Sequence, residues 1–203
     1  MNWYFYKIWI PLQIATVLSI IAVCMGYVSI NWYIVFAAFF LVGPVGTGVG
    51  YHRLFSHRQF TTWKPIEYTV AVLGTLAAYA PVLFWSSQHI YHHRHSDDAV
   101  DPSSPKQFGF IESFLLWRMR KKALALEHFR TNAISSISHM NIPLSYRNFE
   151  TTDNSHNNVI IGWLSFGFGW HNNHHHNQRE LINTHRWWEV DVEGQIARLI
   201  SKS

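Results

Sequence analysis

Two pentapeptides repeat one pattern: His89-Ile90-Tyr91-His92-His93 and His171-Asn172-Asn173-His174-His175 both read HxxHH. On an α-helix, residues three and four apart lie on one face, so each pentapeptide is expected to project three imidazoles toward one point. Neighbouring imidazoliums repel, whereas neutral imidazole is a ligand for iron, copper and zinc. Two such motifs in 203 residues point to metal. A third cluster, His52-Arg53-Leu54-Phe55-Ser56-His57, spaces its histidines five apart. That is about 140° around an ideal α-helix, so this pair is expected to embrace a site only from a frayed or bent helix end. Together the clusters hold eight of the fourteen histidines. A single zinc takes four ligands, and a catalytic one keeps a position open. Eight nitrogens therefore suit two ions, with places left for oxygen or water. Hydrolytic zinc is disfavoured because no HExxH and no paired acid/base carboxylate accompanies the clusters. Iron with open positions beside a bilayer points to oxygen activation on an apolar substrate.

Asp97 and Asp101 come soon after the second cluster. Either could accept the second ring N–H of a metal-bound histidine, which fixes its tautomer and orientation. An Asp-Pro helix stop accounts for Asp101 and Pro102 almost as well. His95, His128, His156, His176 and His185 are read as surface or supporting residues.

The elements that must position these groups emerge from charge and hydropathy. No charged residue occurs from Ile8 to Tyr51. A membrane helix needs about 20 apolar residues, so residues 8–50 are expected to form a transmembrane helical hairpin broken near Ser29-Ile30-Asn31. Lys7 precedes the run, and Arg53 and Arg58 lie just beyond it, which places both ends, and the histidine clusters, on the cytoplasmic face. The uncharged stretch from Tyr68 to Ser87, interrupted by Gly74 and Pro81, is long enough to span. One crossing, however, would separate His52 and His57 from His89, His92 and His93 across the bilayer, so this stretch is expected to be interfacial or re-entrant. Arg118, Arg120, Lys121 and Lys122 beside Phe114-Leu115-Leu116-Trp117 suit a segment lying on anionic headgroups. Residues 186–200 read as an amphipathic helix on the membrane or protein surface.

Composition agrees. The chain is 48% apolar and 14% charged, with ten Trp, nine Tyr and fourteen Phe, an aromatic load of the kind found at membrane interfaces. The net charge of +4 and long uncharged runs favour an anionic membrane over nucleic acid as the partner. The single cysteine, Cys24, excludes an internal disulfide and is read as a packing residue. The expected fold is all-α and integral to the membrane. A single domain over 1–203 has its transmembrane hairpin at 8–50 and the first two clusters at 51–110. A shortened basic, interfacial segment comes next at 111–150, then the third cluster and C-terminal helix at 151–203. The clusters form a cytosolic histidine-rich helical cap.

The segments HRLFSH, HIYHHRHSDDAVDP and DNSHNNVIIGWLSFGFGWHNNHH resemble the three histidine boxes of the membrane fatty-acid desaturases, particularly the acyl-CoA (stearoyl-type) and bacterial branch. RWWEVD, Arg186 to Asp191, is also similar to the family's segment after the last box. The resemblance covers most of residues 45–110 and 150–195. It implies two iron ions held by His52, His57, His89, His92, His93, His171, His174 and His175. A ninth ligand comes by register from the segment Ser135-Ser136-Ile137-Ser138-His139, namely His139. It further implies O2-dependent insertion of a cis double bond, Δ9-type, into a fatty acyl chain carried on CoA, carrier protein or lipid. Electrons would come from a separate ferredoxin or cytochrome. A di-iron hydroxylase of an alkane, carotenoid or sterol uses similar boxes and is the alternative, as is an inactive shortened relative. The chain departs from the family pattern at Ile90 (usually Arg), Phe168 (usually Glu), Ser135 (usually Asn) and Ser87-Gln88 (usually Arg-Asp). Residues 96–138 leave no room for the family's second pair of membrane helices.

Overall fold

The computed structural model describes residues 10–77, 81–101, 104–113 and 137–202. Lys7, Pro102, the basic cluster at 118–122 with its neighbours 114–117, His128, and Ser135-Ser136 lie outside the described residues. The chain divides into two units, Met1–Phe39 and Phe40–Ser203.

In the first unit, α1 covers Ile10–Cys24, and α2 begins at Trp32 and runs to Phe40. The break between them falls where the sequence places it. Gly26 adopts φ +75°, and the Asn31 side-chain oxygen accepts the amide protons of Tyr33 and Ile34 at 3.1 and 3.3 Å, the behaviour of a helix-capping Asn. Cys24 is exposed rather than packed, because the neighbouring turns of α1 are themselves exposed apolar residues and offer no core.

Beyond Phe40 the same helix continues as a π-helical stretch, Leu41–Ser56, so that Trp32–Ser56 is one element of 25 residues, long and apolar enough to cross a membrane. Among the described residues it is the one helix that passes that test, and α1 is shorter. The sequence pattern ends this helix near Gly50; in the structure it runs on and carries the first histidine cluster on its last turns. The change of pitch is visible in three bonds that each reach five residues back. Thr47 Oγ1 donates to the Val42 carbonyl (3.3 Å), Ser56 Oγ to the Tyr51 carbonyl (2.7 Å) and the His57 amide to the His52 carbonyl (3.1 Å). Glycine permits close packing along this stretch. A Cβ on Gly46 would meet the Gly74 amide nitrogen at 2.5 Å.

The partner in that contact is α3, Lys64–Leu76, and the next helix is α4, Val82–His95. The apolar stretch at 68–87 is thus two helices, α4 starting just after Pro81. Short elements complete the second unit: α5, Pro105–Phe108; a two-stranded antiparallel ribbon of β1, Ser145–Tyr146, and β2, Asn157–Asn158; α6, Val159–Leu164; α7, His171–His176; and α8, Val192–Ile200. The architecture is mostly helical, with this ribbon as the departure from the expected all-α fold. Residues 186–191 are not helical, and α8 starts only after Asp191, whose carboxylate caps it by accepting the Gly194 amide proton at 2.8 Å. Ala197 of α8 joins Val49, Leu54, Phe60 and Val70 in the core, so this amphipathic face lies on protein.

This docking explains Arg53. The sequence reads it as a basic residue at the membrane boundary, but it is fully buried. Its guanidinium contacts both Asp191 carboxylate oxygens at 2.8 Å and donates to the Leu181 carbonyl at 2.5 Å. Burial holds the Glu193 carboxyl, 3.8 Å from Arg53 Nε, well above the usual range against the opposing pull of Arg53. The closer partner of Arg53 is Asp191, at 2.8 Å.

Candidate metal centre

The three helices that carry or end on the histidine clusters, and the turn that carries His139, meet in the second unit. The π-helical end brings His52 and His57 together: an i→i+5 helix sets residues five apart close to the same face, and their ring centroids are 4.8 Å apart. No frayed end is needed. Helix α4 carries His89, His92 and His93, and α7 carries His171, His174 and His175. His139 comes from the turn after residues 137–138.

The nine imidazoles sort into two sets. His52, His57, His89, His93 and His174 form one, and His92, His139, His171 and His175 the other; within each set the ligand atoms lie within 4.8 Å of one another. Helical spacing alone aims each HxxHH motif at one point, and here the structure corrects the sequence. The i,i+4 pairs stay together, His89 with His93 and His171 with His175, while His92 and His174 cross to the opposite set. Consecutive residues on a helix point about 100° apart, so each HH step feeds both sets. The sets adjoin, with the His93 and His175 rings 4.5 Å apart.

In the five-histidine set the Nε2 atoms converge. His52 and His93 each lie 3.0 Å from His174, and His89 lies 3.0 Å from His93 and 2.9 Å from His57. In the four-histidine set, Nε2 of His139, His171 and His175 are buried with no hydrogen-bond partner. A buried unpaired polar atom costs about 1–3 kcal/mol. Three such atoms aimed into one site fit a cation that takes their lone pairs. Burial pushes His89, His93, His171 and His174 well below the usual histidine range, and lowers His57 to about 3 and His175 to about 4. These rings are neutral near pH 7, the form that binds metal.

Carboxylates stand behind the four-histidine set. His92 Nδ1 lies 3.0 Å from Asp101 Oδ2, and His139 Nδ1 lies 2.8 Å from Asp97 Oδ2. Asp97 adopts φ +63°, which turns the chain at the end of α4; its amide donates to Asp101 Oδ2 at 3.2 Å. Sequence reading missed the third, Asp153, hydrogen-bonded to His175 Nδ1. Its signal was the Asp-Asn-Ser run ahead of the last cluster: Ser155 donates its amide to Asp153 Oδ1 at 3.0 Å, and Asn154 donates its amide to Asp97 and its side-chain amide to the His139 carbonyl. The two asparagines of HNNHH are structural. Asn172 accepts the amides of Asn148 and Phe149, and Asn173 donates to Glu189 and to the Asn183 carbonyl, which fixes the short helix α7.

Of the other histidines, His156 is buried, with its ring on the Asn154 carbonyl, so it is not a surface residue. His176 stacks on Phe149, while His95 and His185 pair with Asp98 and Glu180; none of the four enters either set. Two apolar side chains reach the centre. Trp85 stacks on His89 at 4.8 Å, and Phe168 lies 4.9 Å from His52 and 6.0 Å from His171. Trp170 is buried but donates to the Val190 carbonyl, and Trp163 is exposed.

Each of the two adjoining all-histidine sets on this helical frame could hold a metal ion. No protein-family model matches the chain. It is 29% identical to Delta-9 acyl-lipid desaturase 1 of Arabidopsis thaliana, over 79% of this chain and 69% of the relative. It is 26% identical to sn-1 stearoyl-lipid 9-desaturase of Anabaena variabilis, over 98% and 90%, and 26% identical to Acyl-CoA C20 Delta5-desaturase of Anemone leveillei, over 84% and 70%. All three relatives are fatty acyl desaturases, and the similarity over most of the chain supports the fatty-acid desaturase family. The match to the Anabaena protein runs to 251 aligned positions against a 203-residue chain, so that relative carries residues inside the matched region that this chain lacks.

Proposed function

We propose that this protein is an oxidoreductase that uses O2 to place a cis double bond, at the Δ9 position, in a fatty acyl chain carried on lipid or CoA. The sorting of nine histidines into adjoining sets of five and four carries the reading. The names of the Arabidopsis and Anabaena relatives support desaturation over hydroxylation, and support the 9-position. Two iron ions are the cofactor, with His52, His57, His89, His93 and His174 holding one, and His92, His139, His171 and His175 the other. Iron bound there supplies the oxidising power to draw hydrogen from an unactivated methylene. The balance is two hydrogens from neighbouring carbons, one O2, and two electrons with two protons from a separate ferredoxin or cytochrome, giving the alkene and two waters.

The chain's own residues supply geometry. Asp97, Asp101 and Asp153 fix the tautomers of His139, His92 and His175. Trp85 and Phe168 give the site an apolar wall against which a methylene chain can lie with water excluded. Membrane location is supported by the exposed apolar surface of Trp32–Phe40, where no residue is buried, and by an exposed stripe of Tyr68, Val72 and Leu76 along α3. With α1 and α2 as a hairpin and α3 at the interface, the centre faces the cytoplasm. Arg58 is the exposed basic residue left to mark that side, since Arg53 is buried.

Anaerobic loading with Fe2+ tests the reading. Two irons per chain are expected, and then alkene on addition of acyl substrate, O2 and reduced donor. An alcohol product would assign a hydroxylase, and fewer than two irons with no product would assign an inactive relative.

A further inference from the structure

The two histidine sets differ in what stands behind their nitrogens. In the four-histidine set, three rings have Nδ1 on a carboxylate: His92 on Asp101, His139 on Asp97 and His175 on Asp153. Those carboxylates are themselves held. Asp97 accepts from Ser104 Oγ at 2.6 Å and from the Asn154 amide at 2.7 Å, and Asp153 accepts from Thr151 Oγ1 at 2.8 Å. All four histidines are buried. In the five-histidine set, Nδ1 of His52, His93 and His174 are buried without a partner, and no carboxylate among the described residues is hydrogen-bonded to any of the five. This set also borders an open cavity of about 290 Å³, walled by His57 and His93 together with Arg94 and Arg179. Neither arginine has an ion-pair partner among the described residues, so that wall carries positive charge.

These differences bear on a cation directly. An aspartate on Nδ1 fixes the imidazole tautomer and makes Nε2 a better donor, and losing such a partner typically lowers metal affinity about 10–100-fold. Three partners act on one set and none on the other, while the five-histidine set gains a single extra imidazole. Resting on the dinuclear reading above, we propose that the two positions are unequal. The carboxylate-backed set of His92, His139, His171 and His175 takes the first divalent cation and retains it. The set of His52, His57, His89, His93 and His174 fills second and releases its cation more readily, because Arg94 and Arg179 on its open side disfavour a divalent cation there.

The test is an anaerobic optical titration of the chelator-stripped full chain in detergent with Co2+. The wild type is expected to bind two equivalents in two steps, separated by roughly 100-fold or more in affinity. Asp101→Asn and Asp97→Asn should each weaken the first step by about 10–100-fold and leave the second in place. His93→Ala should remove the second step and keep the first. A single step of two equal equivalents in the wild type, which needs no variant, would overturn the inequality; so would Asp→Asn changes that weaken only the second step. These outcomes leave the proposed function standing if the iron-loaded enzyme still makes alkene. Failure of the wild type to take up any Co2+ would overturn both.

Discussion

Asp191→Ala is expected to destabilise the folded protein by about 3–5 kcal/mol, the usual result of removing one partner from a buried ion pair. Asp191 accepts four hydrogen bonds: two from Arg53 at 2.8 Å, and one each from the Asn183 and Gly194 amides at 2.8 Å. The substitution strands a guanidinium with no exposed surface and uncaps α8. Asp191→Asn keeps the shape and part of the capping, so its loss should be smaller. Arg53→Met with Asp191→Leu should recover part of the loss, because apolar replacement of a buried pair is often tolerated, although the Leu181 carbonyl then lacks its donor. Denaturation midpoints in detergent rank the variants, with Asp191→Ala lowest. Because Arg53 adjoins His52, metal content should fall with stability. An Asp191→Ala protein as stable as the wild type would mean that the C-terminal helix does not brace the first cluster.

His174→Ala is expected to reduce desaturation to the level of an empty-vector control. His174 is the sole residue of the third cluster in the five-histidine set. Its Nε2 lies 3.0 Å from Nε2 of both His52 and His93, so its loss opens the set between the first and second clusters. His176→Ala, two positions along, is the comparison: that ring is exposed and stacks on Phe149 outside both sets. It should retain near wild-type product. Product per unit of folded protein, measured with bound iron, separates the two; equal loss in both variants would contradict the sorting.

The helical placement of the second and third clusters was legible because HxxHH needs only the helical repeat. How each motif divides between the sets was not, since His92 and His174 cross according to which neighbour they face, a tertiary fact. The first cluster was opaque for a different reason. Five-residue spacing fails on an α-helix, and only the i→i+5 bond from the His57 amide to the His52 carbonyl makes it work. Asp97 and Asp101 could be read because they sit just after a cluster in sequence; Asp153 reaches His175 from 22 residues away. Arg53 read as a membrane-boundary charge because Asp191 lies 138 residues further on. The break at Asn31 was plain, being set by local capping.

Desaturation supported by these histidines is tested most directly in the lipids of a host that lacks the activity. Expression of the chain with a reduced electron donor should produce a new cis-monounsaturated fatty acid that disappears in His92→Ala. An unchanged profile from folded protein carrying two irons, or unsaturation that persists in His92→Ala, would contradict the account.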